Sequence, residues 1–321
     1  MARGESPRAG GAGDPFARWW TGRKLEARCP LMGLWTVGAV EIADQNSESK
    51  GTSDRKRGET AMGTEQDDAI VLRVTPWSET SCVVTLLTRQ QGKRALVAKG
   101  ARRPKSPFEA ALDLLSLCHV VFIPKTGDAL DILTEARLQR RFRAASRDLL
   151  RLYCGYYVAE LLDRLTDIGD SHPELFDLAV ATIEQLDTGT ADVRSVVLRF
   201  ELGVLRHTGH LPSLERCVEC GVTWESSTDE GEQQGWYLFS AAGGGVYCTH
   251  CKDRARQSIR MGAAPYRALL AYSQPDWRRI DVDTFPDNSA RVVRRVVRDT
   301  MRHLLDRPPR MEPYLQDLQR S

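Results

Sequence analysis

Four cysteines carry the clearest chemistry in the chain: Cys217-x-x-Cys220 and Cys248-x-x-Cys251, two matching pairs with 27 residues between them. A C-x-x-C turn presents two thiolates to one metal ion. Two such turns complete a closed tetrahedral shell of sulfur, the usual setting of structural Zn²⁺. With sulfur at all four positions there is no place for water or substrate, so one zinc per chain is expected to hold a fold together rather than to catalyse. A redox C-x-x-C usually comes once, beside a βαβ pattern that this chain lacks. His250, inside the second pair, is expected as an exposed loop residue and not as a ligand.

The second concentration of chemistry is cationic. Lys93, Arg94, Lys99, Arg102, Arg103 and Lys105 lie on or just after one β-rich run, with no acid among them, and Gly100 and Pro104 turn and stop the strand. On the face of a small barrel this is an electrostatic track for phosphates. The plainer reading is a solvated loop that blunts a sheet edge with charge. A further run, Arg137, Arg140, Arg141, Arg143 and Arg147, and an arginine face on the last helix (Arg291, Arg294, Arg295, Arg298 and Arg302) are weaker candidates, because helical charge is commonly just solvated. Trp77 and Phe142 have the chemistry to stack on bases, but packing is the commoner role of both.

Catalytic signatures are missing. Gly92-Lys93 lacks the upstream glycine and the following Ser/Thr of a phosphate-binding loop, and neither H-E-x-x-H nor G-x-S-x-G occurs, so no catalytic residue is assigned. His207 and His210 have a metal-compatible spacing, yet Gly209 and Pro212 place them at a helix end, where a capping or core role is expected.

These groups need elements to position them. With 321 residues, 41% of them hydrophobic, and 45 basic against 43 acidic residues for a net charge of +2, the chain can build two or three globular units, and any nucleic-acid affinity must come from local patches. No apolar run approaches the roughly 20 residues of a membrane span, and the scattered Cys29, Cys82, Cys118 and Cys154 suit a reducing compartment, so a cytoplasmic protein is expected. Residues 1–66 are rich in Gly, Ser and Arg and are expected to be a disordered extension. Residues 67–142 hold five β-rich runs (Ala69–Val74, Cys82–Leu87, Ala95–Ala98, Leu117–Ile123 and Asp131–Arg137), which suits an OB-like barrel. Apolar residues at three- and four-residue steps (Leu149, Leu152, Tyr153, Tyr156, Tyr157, Leu161 and Leu165) open a helical unit over 143–212, with further helices near 174–187 and 192–208. A zinc ribbon over 213–253 interrupts it, with Val222–Trp224 and Trp236–Phe239 as strands and Gly243–Gly245 as a turn. The helical unit resumes over 254–308, where Val293, Val296, Val297, Met301 and Leu304 mark one apolar face, and a tail follows at 309–321. The fold class is multi-domain α+β.

Taken in order, Thr88-Arg-Gln-Gln-Gly92, Ala98-Lys-Gly-Ala-Arg-Arg-Pro-Lys-Ser106, Tyr156-Tyr-Val-Ala-Glu-Leu-Leu162, Phe200-Glu-Leu-Gly-Val-Leu205, Cys217-Val-Glu-Cys-Gly221 and Phe239-Ser-Ala-Ala-Gly-Gly-Gly-Val-Tyr-Cys248 resemble the RecO family of bacterial recombination mediators over about 67–305. The resemblance implies a non-catalytic DNA-repair factor of the nucleoid. Such a factor binds single- and double-stranded DNA, anneals complementary strands and, with RecR, helps to load RecA on DNA coated by single-stranded DNA-binding protein (SSB). It also implies that Lys99–Ser106 is the basic DNA-binding segment, that the four cysteines are zinc ligands, and that the acidic C-terminal tail of SSB is received by cations beside an apolar groove. The chain departs from the family in its long N-terminal extension and in the polar insert Glu225–Gln234. Two other classes compete: a zinc-ribbon transcription or translation factor, which would cluster cations within 217–251, and a zinc-dependent nucleic-acid enzyme, which would need an open coordination position.

Overall fold

In a computed structural model of the chain, the β-rich runs become five strands: β1 (Glu65–Pro76), β2 (Cys82–Thr88), β3 (Gly92–Ala98), β4 (Leu117–Ile123) and β5 (Asp131–Arg140). The structure describes residues 63–108, 111–127, 129–144, 148–223, 236–274 and 287–315, all within the unit Gln45–Ser321. The expected extension up to residue 62, with Cys29 and the Leu31–Val40 patch, lies outside them, as do Arg147, Trp224 and Glu225–Gln234.

Antiparallel pairing joins β1 to β2 and β2 to β3, β4 returns to β1, and β5 lies between β4 and β3, parallel to β3. The sheet therefore closes in the order β1-β2-β3-β5-β4, the OB-like barrel that the sequence led us to expect. Closure leaves no open edge. Val71, Val84, Leu86, Leu96, Val120, Phe122 and Leu133 fill the interior. Ile70, Leu72 and Leu87 point the other way, into the helical core. Because β1 is buried on both faces, Ala69-Ile-Val-Leu72 is apolar without alternation.

Three helices pack on that outer face. Asp148 caps α1 (Leu149–Leu165) by accepting from the Leu150 amide, and Asp192 caps α3 (Val193–His207) by accepting from that of Ser195. Between them, α2 (Pro173–Thr188) opens on proline and closes on Gly189 in the left-handed region. Helix α1 is buried nearly all round, against β1, α2, α3 and the C-terminal turn. Gly155 is required there: an added Cβ would meet the Phe142 ring at 2.6 Å. The single apolar stripe expected for α1 is thus too narrow, and its first member, Leu149, is 58% exposed.

Beyond α3, β6 (Trp236–Ser240), β7 (Gly245–Tyr247) and β8 (Ile259–Gly262) form a small antiparallel sheet in the order β7-β6-β8. It is followed by α4 (Ala263–Ser273) and α5 (Asp287–Leu304). A second core joins Leu198 and Leu202 of α3 to Tyr237, Phe239, Val246, Met261, Leu269, Val293, Val296 and Val297. The chain from 309 on is not all tail. Met311 and Leu315 are buried against α1, and the buried Glu160 carboxylate accepts from the backbone amides of Arg310 (2.7 Å) and Met311 (3.1 Å) and from Arg164 (3.4 Å). Among the described residues no helix is long and apolar enough to cross a membrane.

Candidate functional site

The six cations of the basic segment divide into two groups. Gly92 has φ +71° and sits so close to the loop after α1 that a Cβ would meet the Asp170 carbonyl oxygen at 2.1 Å. Next to it, the Lys93 carbonyl accepts from the Gly169 amide at 2.9 Å. Its Nζ donates to the Asp163 carbonyl at 2.6 Å and lies 3.8 Å from the Asp163 carboxylate. Burial pulls the Lys93 ammonium below its ordinary pKa, and Asp163 and Asp167 oppose the shift. Arg94 pairs with Asp131 (3.3 Å), bonds Gln91 (3.1 Å) and lies over the Phe122 ring at 5.8 Å. Both residues fasten the barrel together or to the helices, and phosphate would have to displace those partners.

Lys99, Arg102, Arg103 and Lys105 are all exposed, and among the described residues none of them has a carboxylate partner. Their loop is nevertheless ordered by its backbone. The Arg103 amide donates to Gly100 (3.0 Å) and that of Ser106 to Arg103 (3.1 Å). The Arg102 amide reaches Thr80 (3.0 Å) and its guanidinium the Ser78 carbonyl (2.7 Å), which ties the loop to the β1–β2 turn. A cleft of about 360 Å³ lies between turn and loop, lined by Trp77, Thr80, Val97, Lys99, Gly100 and Arg103. Trp77, 56% exposed, is not a packing residue here, whereas Phe142 packs on the helical core. Composition had left the two aromatics equal.

The other basic surfaces differ. Arg140 pairs with Glu184 (3.1 Å) and Arg141 with Asp113 (3.2 Å). On α5, Arg295 and Arg298 approach Asp299 at 3.9 and 3.7 Å, and Arg302 pairs with Glu312. Arg291, Arg294, Arg295, Arg298 and Arg302 line a cleft of about 640 Å³ between α3 and α5, in which Val197, Leu198 and Val292 are apolar. Glu201 also lines it and accepts from the Tyr157 hydroxyl at 2.6 Å. Burial pushes the Glu201 carboxyl up to about 7, against the opposing pull of that hydrogen bond and of Arg294.

The four cysteines converge as their spacing predicts: the sulfurs of Cys217, Cys220, Cys248 and Cys251 lie within 4.8 Å of one another. Cys220 Sγ is 3.7 Å from Cys248 Sγ, close to the edge of about 3.8 Å that four sulfurs make around an ion with metal–sulfur bonds of about 2.3 Å. Each pair sits in a turn closed by its own backbone, Gly221 N–H to Cys217 O (2.9 Å) and Cys251 N–H to Cys248 O (3.1 Å). Burial alone would raise the Cys217 thiol, but backbone amides of Cys220, Cys248 and Glu219 directed at its sulfur outweigh this and bring it down to about 7, whereas burial raises Cys248 and, with the neighbouring sulfurs, pushes Cys251 up to about 12. This group can hold a metal ion with no position left open. His250 is outside it; His207 faces Glu174 (3.6 Å) and His210 its neighbour Thr208 (3.0 Å), as helix-end residues do. Cys82, Cys118 and Cys154 are buried and unpaired, and burial pushes the last two thiols up to about 12.

Comparison with known proteins follows the same division. Residues 62–142 match the family described as Recombination protein O N terminal, and residues 146–312 the one described as Recombination protein O C terminal. A DNA repair protein RecO of Rhodopirellula baltica is 40% identical over 274 residues, 78% of this chain and 98% of the relative. Proteins of the same name from Anaeromyxobacter sp. (36% over 202 residues, 63% of this chain and 76% of the relative) and Symbiobacterium thermophilum (32% over 212 residues, 66% and 81%) are also similar.

Proposed function

Since the chain belongs to the RecO family of DNA repair proteins, we propose that it binds single- and double-stranded DNA on the barrel, anneals complementary strands without a catalytic step, and works with RecR to load RecA on SSB-coated DNA at the bacterial nucleoid. The observation that carries this reading is the exposed quartet Lys99, Arg102, Arg103 and Lys105, without a carboxylate partner among the described residues, on a hydrogen-bonded loop of an OB-like barrel. Cations not held by a carboxylate are available to phosphate. By offsetting the repulsion between two backbones they let strands approach, while base pairing supplies the sequence match. Lys93 and Arg94 support this surface from behind. The metal is zinc, one per chain, held by Cys217, Cys220, Cys248 and Cys251; its role is to fix the ribbon.

The tail of SSB, acidic with an aromatic end, has complementary chemistry in the α3–α5 cleft, where the half-buried Val292 lies beside the exposed Arg291 and Arg295. Titration of the full chain with single- and double-stranded oligonucleotides over a range of salt tests the central claim. Affinity for both falls linearly in log–log form, the quartet alone contributing a slope of about 3. Absence of binding to either at low salt would rule the reading out.

A further inference from the structure

The turn between β1 and β2 holds an indole where the fold has little use for one. Trp77 is more than half exposed, and no cation or aromatic ring covers it among the described residues. The turn is fixed by the Trp77 and Ser78 amides, which donate to the Ser81 carbonyl at 3.0 and 3.2 Å, and by the Ser81 amide on Ser78 Oγ at 3.1 Å. Arg102 ties it from the opposite side of the cleft. Next to it the outer face of the barrel shows a cross-strand row of half-buried residues, Thr75, Val83, Val97 and Ile132 in register. An exposed aromatic on a hydrogen-bonded turn, in one small cleft with Val97, Lys99 and Arg103, is an arrangement that takes an unstacked base while its phosphates meet the cations.

We propose that Trp77 is a stacking platform for one base of a single DNA strand whose backbone runs along Lys99, Arg102 and Arg103, and that it makes this end of the barrel selective for unpaired DNA. The inference rests on the phosphate track proposed above and adds strand discrimination to it. In a duplex the base faces are already stacked on one another, so the indole gains nothing while the cations still bind phosphate. When two strands pair, the base leaves Trp77 and the grip on the product weakens, which favours release after annealing.

The test uses the full chain, an oligo-dT 20-mer, and a relaxed closed-circular duplex, which has neither ends nor unpaired bases. Trp77→Ala weakens binding to the 20-mer roughly 5- to 160-fold, the range for loss of one base–aromatic stack. Trp77→Phe, which keeps a ring, stays within about 3-fold of the parent. Neither changes affinity for the circle or the salt slope, since no phosphate contact is lost. Wild-type binding to the 20-mer with an unchanged Trp77→Ala affinity, or an equal loss on both DNAs, overturns the stacking role and leaves the phosphate track standing. If the wild type binds neither DNA, the underlying reading fails as well.

Discussion

The barrel and the cysteine-bearing sheet are both small β-structures, but opposite means hold them. The barrel closes on itself and buries its own interior. The ribbon sheet has strands of 5, 3 and 4 residues, too short to close or to stand alone. It leans on α3, α4 and α5 on one side and relies on four convergent sulfurs on the other. Beside those sulfurs Arg254 pairs with Glu219, whereas among the described residues no carboxylate pairs with the quartet on the barrel.

The contrast is broken most severely at the four cysteines. Cys248→Ser removes one of the four sulfurs proposed to hold zinc and is expected to lower metal content and stability together, by several kcal/mol of a binding free energy of about 10–16 kcal/mol for structural zinc. Metal analysis and thermal melting check this; DNA affinity of the barrel, measured on protein that remains folded, stays within about 3-fold. Full metal occupancy in the variant would disprove the assignment. Replacing Lys99, Arg102, Arg103 and Lys105 together by Ala has the reverse profile. The salt slope of DNA binding drops by about 3, annealing falls with it, and the melting temperature falls by no more than about 5 °C, from the loss of the Arg102 hydrogen bond to Ser78, because the other exposed cations add little stability.

Lys93→Ala sharpens the comparison within a single run of basic residues. It is expected to cost roughly 1–2 kcal/mol in denaturant unfolding, through the lost hydrogen bond and ion pair with Asp163, and to leave the salt slope of DNA binding unchanged. A lost slope with intact stability would put Lys93 on the DNA. The smallest effect concerns α3, whose residues enter both the helical core and the ribbon core. Glu201 holds its proton more tightly in the folded chain, near 7 against 4.5 for an ordinary carboxyl. The stability it contributes is complete below 4.5 and is lost as pH rises through about 7. Melting of the wild type across that window therefore declines relative to Glu201→Gln, which keeps an acceptor for Tyr157 and has no proton to lose; parallel curves would contradict the shift.

Much of this was visible in the chain itself. The five strands, the metal-binding spacing and the buried Val293, Val296, Val297 and Met301 face of α5 follow from periodicity and from the geometry of a C-x-x-C turn. The division of the basic segment was not, because Lys93 finds its partner 70 residues away and Arg94 finds Asp131 37 residues away. Charge is written in a sequence, but its neutralisation depends on tertiary contact. Strand β8 was missed for a local reason: only Ile259 and Met261 alternate inward, directly after a polar, basic stretch. Trp77 gave no sign of its exposure, since an indole beside a turn is compatible with either environment until the packing around it is known.

The buried Glu160 carboxylate makes the C-terminus a structural seal. Its oxygens are satisfied by main-chain amides at positions 310 and 311, so no side-chain substitution in that segment removes those two bonds, apart from proline. Shortening the chain to end before Arg310 would remove both at once and also uncover the surface that Met311 and Leu315 occupy on α1. A loss that looks like trimming of a free end would then act as a mutation of the interior, and a tag or label attached to this protein belongs beyond Leu315.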